Sequence, residues 1–261
     1  MKFRSSPPVF GGLALCVFVA TGCNSAELTA TSSAAPLTGN WSFTAPAAQG
    51  AQPITLNAGF VQTGEAVTAV AHLSGASCIS ASTGIALSGA VSALNQVSLI
   101  SQPFAGTTLS LKGQLSANGK ALSNATWTFS GGNCAALGSE SITATDYAEI
   151  NGTYTGTFID AGNNQLAITA TLTQTTQPDP NGQYHLSGSA TFPNNPCFTQ
   201  PIVTDSLVTG SSLSTTYSQG SASITAVGTF NSDATQLTVT NWQVSGGLCD
   251  GDTGTGSLTE Q

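Results

Sequence analysis

WTFSGGNC at residues 127–134 and WQVSGGLC at residues 242–249 repeat one pattern, W-x-x-S-G-G-x-C, in a chain that holds only three tryptophans. Further matches lie outward from this pair in the same order. LTGNWSF (37–43) matches INGTYTGTF (150–158), which sets Trp41 over Tyr154 at an offset of 113 residues. HLSG stands at 72–75 and again at 185–188, at the same offset, and SESIT (139–143) faces GTGSLT (254–259). A repeat of this length exceeds any solenoid unit and reads as a duplicated domain. The copies span residues 37–146 and 149–261, with the boundary near Asp146–Glu149.

Each copy is written in strands. LSLKGQLS (109–116) alternates Leu109, Leu111, Gly113 and Leu115 with polar residues, and SITAVGTF (223–230) does the same with Ile224, Ala226, Gly228 and Phe230. Period-two alternation, rich in Thr and Val, argues for antiparallel sheet. Turn residues punctuate it at Ala117-Asn118-Gly119, Gly162-Asn163-Asn164 and Asp179-Pro180-Asn181-Gly182. In the second copy the spacing predicts eight strands, near 151–159, 165–175, 183–192, 203–209, 211–217, 222–231, 235–245 and 253–259. The fold class is all-β: two tandem eight-stranded up-and-down barrels, whose closure removes sheet edges. Greek-key β-sandwiches are the alternative.

The cysteines favour the barrel. Cys197 falls between the third and fourth strands and Cys249 between the seventh and eighth, and in an up-and-down order these connections share one end. Cys78 and Cys134 hold the corresponding places in the first copy. The repeat therefore pairs Cys78 with Cys134 and Cys197 with Cys249, each bridge staying inside its own copy. No C-x-x-C spacing suggests a metal, and no cofactor is expected.

Trp127 and Trp242 precede the Ser-Gly-Gly turns. Two roles are open to them: plugging a barrel end beside the disulfide, with the turn satisfying the indole N–H, or lining a ligand platform. The paired glycines are expected either at positive φ or where backbone approaches closely. His72 and His185, the only histidines, read as strand residues with one wet edge. Asp250-Gly251-Asp252 lacks the further ligands of a calcium loop and reads as an acidic turn. An acid–base site would have to use isolated carboxylates such as Asp160, Asp205 or Asp233, so catalytic residues are not expected.

Beyond the first four residues, Lys112 and Lys120 are the only cations against twelve carboxylates, which excludes nucleic acid as a partner. The N-terminus has Lys2 and Arg4 ahead of an apolar stretch, Val9 to Ala20, too short to span a bilayer. The stretch ends in Ala20-Thr21-Gly22-Cys23, which resembles the lipobox of bacterial lipoproteins, with Ala20 where Leu is usual. The resemblance implies a signal peptide over 1–22, lipidation of Cys23 and a flexible tether over 23–36. A plain secretory leader is the alternative.

VSGGLCDGDTGTGSLT (244–259) and GTYTGTF (152–158) resemble bacterial lipoproteins with lipocalin-like small β-barrels. That likeness implies a cell-envelope location, by analogy the outer membrane, and a barrel able to hold a guest. The expectation is a non-enzymatic protein held to the membrane by its lipid, binding a small apolar molecule or a glycan. The alternative is a structural or adhesive envelope protein with no small ligand. A transmembrane barrel is not expected, because no aromatic girdles mark the strands.

Overall fold

The computed structural model describes residues 34–46, 52–193, 195–200 and 202–261, with backbone alone at 202–205. The leader, Cys23 and the tether before residue 34 lie outside the described residues.

The second copy is a closed antiparallel barrel with every strand paired to its chain neighbours: β10 (Asn151–Asp160), β11 (Gln165–Gln174), β12 (Tyr184–Thr191), β13 (Ile202–Thr209), β14 (Ser212–Gln219), β15 (Ala222–Phe230), β16 (Gln236–Ser245) and β17 (Thr253–Glu260). β17 closes the ring by pairing with both β16 and β10. The first copy is a nearly closed sheet of the same plan. It runs β1 (Gly39–Thr44), β2 (Thr55–Thr63), β3 (Ala66–Ser74), β4 (Gly84–Val91), β5 (Gln96–Ser101), β6 (Thr108–Leu115) and β7 (Leu122–Ser130), then β8 (Ser139–Ser141) and β9 (Thr143–Tyr147). Two tandem barrels of up-and-down order are thus the architecture, and the sandwich alternative is set aside.

The seam of the first barrel is where the copies differ. Its closing strand is split at Ile142: β8 pairs only with β7, and β9 only with β1. In the second barrel one strand does both jobs because glycines let it lie tight against β10. A Cβ on Gly156 would stand 1.9 Å from the Ser257 carbonyl oxygen, and one on Gly256 would stand 2.3 Å from the Phe158 ring. By the repeat, Phe43 and Glu140 occupy those two places in the first barrel. With side chains at both, the closing strand cannot serve both neighbours along its whole length.

Both interiors are filled with side chains. Trp41, Phe43, Phe60, Leu109, Leu111, Leu115 and Trp127 belong to the first core, and Tyr154, Phe158, Phe192, Phe230 and Trp242 to the second. Aromatic rings meet edge-on or stacked, as with Phe158 and Trp242 at 5.8 Å between centroids. The segment just before β1 is part of the first barrel rather than free tether. Ala35 and Leu37 are buried in its core, and Ala35 N–H donates to Asn95 Oδ1 at 2.8 Å. The segment caps one barrel end, and Trp41 ties it down by donating its indole N–H to the Leu37 carbonyl at 3.2 Å.

Candidate functional site

Each sequence-predicted site residue has a definite place. Cys78 and Cys134 are bridged with Cα atoms 5.2 Å apart, and Cys197 and Cys249 with Cα atoms 5.9 Å apart, both inside the range a disulfide needs. In the second barrel the bridge joins the β12–β13 and β16–β17 connections, at the end where the sequence placed them. Both Ser-Gly-Gly turns use positive φ, at Gly131, Gly132, Gly246 and Gly247.

Trp127 and Trp242 are buried within strands and point into the cores. The expected partner for their N–H groups is corrected: Trp242 donates to the Thr255 carbonyl on facing β17 at 3.0 Å, not to its own turn. The Trp127 N–H has no partner among the described residues.

Of the isolated acids, Asp160 ends β10 at a turn and Asp233 lies in the β15–β16 turn, while Asp205 falls within β13. Asp160 accepts from Asn164 N–H and its side-chain amide, both at 2.7 Å, and these bonds hold its carboxyl below the ordinary range. Asp250 accepts from Gly246 N–H at 2.7 Å, which accounts for the acidic turn. The side chain of Asp205 lies outside the described residues, and Asp233 sits beside Ser232 in a turn. Among the described residues no three His, Cys, Asp or Glu side chains gather as a metal site.

What the sequence did not reveal is that the barrels dock. Asn40 on β1 donates Nδ2 to the Gly210 carbonyl at 2.7 Å and accepts Gly210 N–H on Oδ1 at 2.6 Å, a reciprocal pair across 170 residues. The Ala148 N–H bond to the Ser232 carbonyl, at 2.8 Å, lies within the second barrel, whose core Ala148 packs against. The β11–β12 turn packs on β2 and β3 so closely that a Cβ on Gly182 would lie 2.1 Å from the Val70 carbonyl oxygen. Both histidines bear on this turn. His72 Nε2 lies 2.8 Å from the Asn181 carbonyl, and His185 Nε2 lies 3.5 Å from Asp179 Oδ2. The Asp179 carboxyl sits below its ordinary pKa: burial opposes this, but hydrogen bonds from Gln183 and Asn181 N–H, the Asn181 side chain and His185 together outweigh it.

Docking leaves a cleft of about 740 Å³ between the barrels. One wall is Asn57, His72, Ser74, Ser82 and Gly84 of the first barrel; the other is Leu207, Thr209, Ser212, Ser214, Val227, Thr229 and Thr240 of the second, with Asn181 and Gln183 of the turn between. None of the lining residues is Lys, Arg, Asp or Glu. The Thr209 hydroxyl is buried and has no hydrogen-bond partner among the described residues. By contrast, the gap lined by Phe192, Phe198, Ile224, Trp242 and Cys249 amounts to about 10 Å³, barely room for one water. The arrangement suits neutral hydrogen-bonding partners over charged ones. Asn40 and Ser42 of β1 are polar residues on a face that proves buried, and nothing in their own sequence marks the docking that covers them.

The chain matches no known family profile and no curated protein. Among solved structures it is similar to kievitone hydratase from Nectria haematococca, at 11% identity over 89% of this chain and 92% of that chain, with a TM-score of 0.21. At that score the two need not share a fold, and the hydratase's activity does not transfer.

Proposed function

We propose that the protein is a non-enzymatic lipoprotein of a bacterial cell envelope, held through lipid on Cys23, that binds a neutral glycan segment in the cleft between its barrels. The observation that carries the reading is the cleft's lining. It is ligand-sized, free of Lys, Arg, Asp and Glu, and sets hydroxyl and amide groups beside apolar Ala81, Leu207, Leu213 and Val227, whereas the barrel interiors are occupied by their own side chains. A chain of sugar hydroxyls both donates and accepts, and the Ser, Thr, Asn and Gln side chains of the lining do the same. An apolar guest deep inside either barrel finds less support, because side chains fill both cores. The non-enzymatic reading rests on the scarcity of ionisable groups: His72 alone lines the cleft, and its Nε2 is engaged by the Asn181 carbonyl.

Calorimetric titration with neutral hexasaccharides (a β-1,3-glucan, a β-1,4-glucan and an α-1,6-mannan) tests binding. At least one should bind, and Ser214→Trp, which fills the cleft from an exposed strand position, should abolish it while leaving the circular dichroism spectrum unchanged. Binding that survives Ser214→Trp would refute the location. Silence from all three sugars would favour the second reading, a rigid envelope spacer, for which the filled barrels and their direct hydrogen-bonded docking speak. Cys23→Ser should move the protein from the membrane fraction to the soluble one, and retention on the membrane would contradict the anchor.

A further inference from the structure

A second hollow, of about 200 Å³, lies where the end of β9 and the β6–β7 turn of the first barrel meet β11 and β12 of the second. Its chemistry is unlike the cleft's, for it gathers Lys120, Asp146 and Glu149 around the ring of Tyr184. Lys120 Nζ donates to Asp146 Oδ2 at 2.7 Å; the lysine side chain is 64% exposed and the aspartate only 8%. Burial pushes the Asp146 carboxyl above its ordinary range, and the hydrogen bond and charge of Lys120 restore it only in part.

Tyr184 is 2% exposed, and its hydroxyl has no hydrogen-bond partner among the described residues. Burial, joined by the charges of Asp146 and Glu149, raises its pKa, so the hydroxyl keeps its proton and remains a donor. A buried donor left unpaired is costly, and the cost is removed when an acceptor arrives. The Lys120 ammonium carries three protons, of which the Asp146 bond uses one. Donors from Tyr184 and Lys120 therefore stand in the same small hollow as the exposed carboxylate of Glu149.

We infer that this hollow binds a small zwitterion of the α-amino-acid class. Its carboxylate takes the spare protons of Lys120 and Tyr184, and its ammonium faces Glu149. The formal charges of the three ionised side chains sum to −1, so a lone anion is disfavoured. A lone amine would leave the Tyr184 hydroxyl unpaired. The volume admits a small amino acid and excludes a peptide of several residues. This inference stands apart from the glycan reading, as it uses a different hollow and different residues.

Calorimetry and thermal shift on the folded chain from Cys23 onward, with glycine, L-alanine, D-alanine, ethylamine and propionate as probes, decide it. At least one amino acid should bind with Kd below about 10 mM, and ethylamine and propionate should bind about tenfold more weakly or not at all. Tyr184→Phe should leave the ligand-free melting temperature unchanged or higher, because the hydroxyl it removes is unpaired, yet weaken the amino acid about tenfold. Glu149→Gln, on an exposed position, should weaken it similarly. Absence of amino-acid binding, ethylamine binding as tightly as alanine, or full affinity in Tyr184→Phe would each overturn the inference. A lower ligand-free melting temperature in Tyr184→Phe would also count against it, since it would mean the hydroxyl already has a partner.

Discussion

Replacing Gly182 by alanine separates the docking of the barrels from the stability of either one. Gly182 sits at φ +77° in the β11–β12 turn, and Gly220 sits at φ +59° in the β14–β15 turn. An alanine at either position pays the left-handed penalty of about 1–2 kcal/mol. The two differ in surroundings. A Cβ at Gly220 meets nothing within 4 Å, whereas one at Gly182 would stand 2.1 Å from the Val70 carbonyl oxygen, where ordinary contact begins at 3.4 Å. Val70 Cα partners Gly59 and Ala86 within the first barrel's sheet, so its carbonyl cannot retreat without breaking β3 from a neighbour. The turn must move instead, and with it goes the contact between His72 and the Asn181 carbonyl. Differential scanning calorimetry should show one transition for Gly220→Ala, lowered by roughly 2–8 °C for the backbone cost alone. Gly182→Ala should split the trace into two transitions, one per barrel, and hydrogen exchange should quicken in β3 and the β11–β12 turn. Equal shifts with a single transition in both variants would refute the docking argument.

The remaining expectations concern single barrels. Cys197→Ala with Cys249→Ala opens a link spanning 52 residues and should cost the second barrel about 4 kcal/mol in the chain-entropy account, read by denaturant melts. An unchanged midpoint would argue against that account. Trp242→Phe should cost about 1 kcal/mol more than Trp127→Phe, because only Trp242 gives up a hydrogen bond, to the Thr255 carbonyl; equal costs would mean that Trp127 has a partner after all. Carboxyl NMR titration should find Asp179 below the ordinary 3.8 and Asp146 above it. The stabilisation from Asp179 is then complete above pH 3.8 and lost as pH falls through its lower native value, while Asp146 works in reverse and erodes stability as pH rises from 3.8 through its raised value. Titration of both at one pH would contradict the two environments.

The strands of the second barrel were legible because alternation and turn residues agree there: 222–231 was expected and Ala222–Phe230 observed. The pairing of the cysteines followed from the duplication. The split at Ile142 was hidden, since it depends on what Phe43 and Glu140 meet across the seam, and that is a property of two strands distant in sequence. The docking was hidden for a similar reason. Asn40 and Ser42 look like the solvent face of a strand, and nothing local announces that Gly210 will cover them. HLSG was visible as a repeat, but repetition concealed that its histidines differ in role. His72 reaches across to the other barrel's turn, while His185 faces Asp179 within its own. In the candidate cleft the chemistry comes from small hydroxyl residues, which are so common in this chain that their clustering shows only in three dimensions.

The central claim is that the barrels are solid and that what the protein binds sits between them. Three indole N–H resonances report on it, from Trp41 and Trp127 in one core and Trp242 in the other. Titrating a neutral hexasaccharide that binds into isotope-labelled protein, and following the two-dimensional nitrogen–proton spectrum, should shift amides of Ser212, Ser214 and Thr229 and the His72 ring while all three indole signals stay in place. Movement of an indole signal, with the cleft amides unmoved, would put the guest inside a barrel and contradict the account.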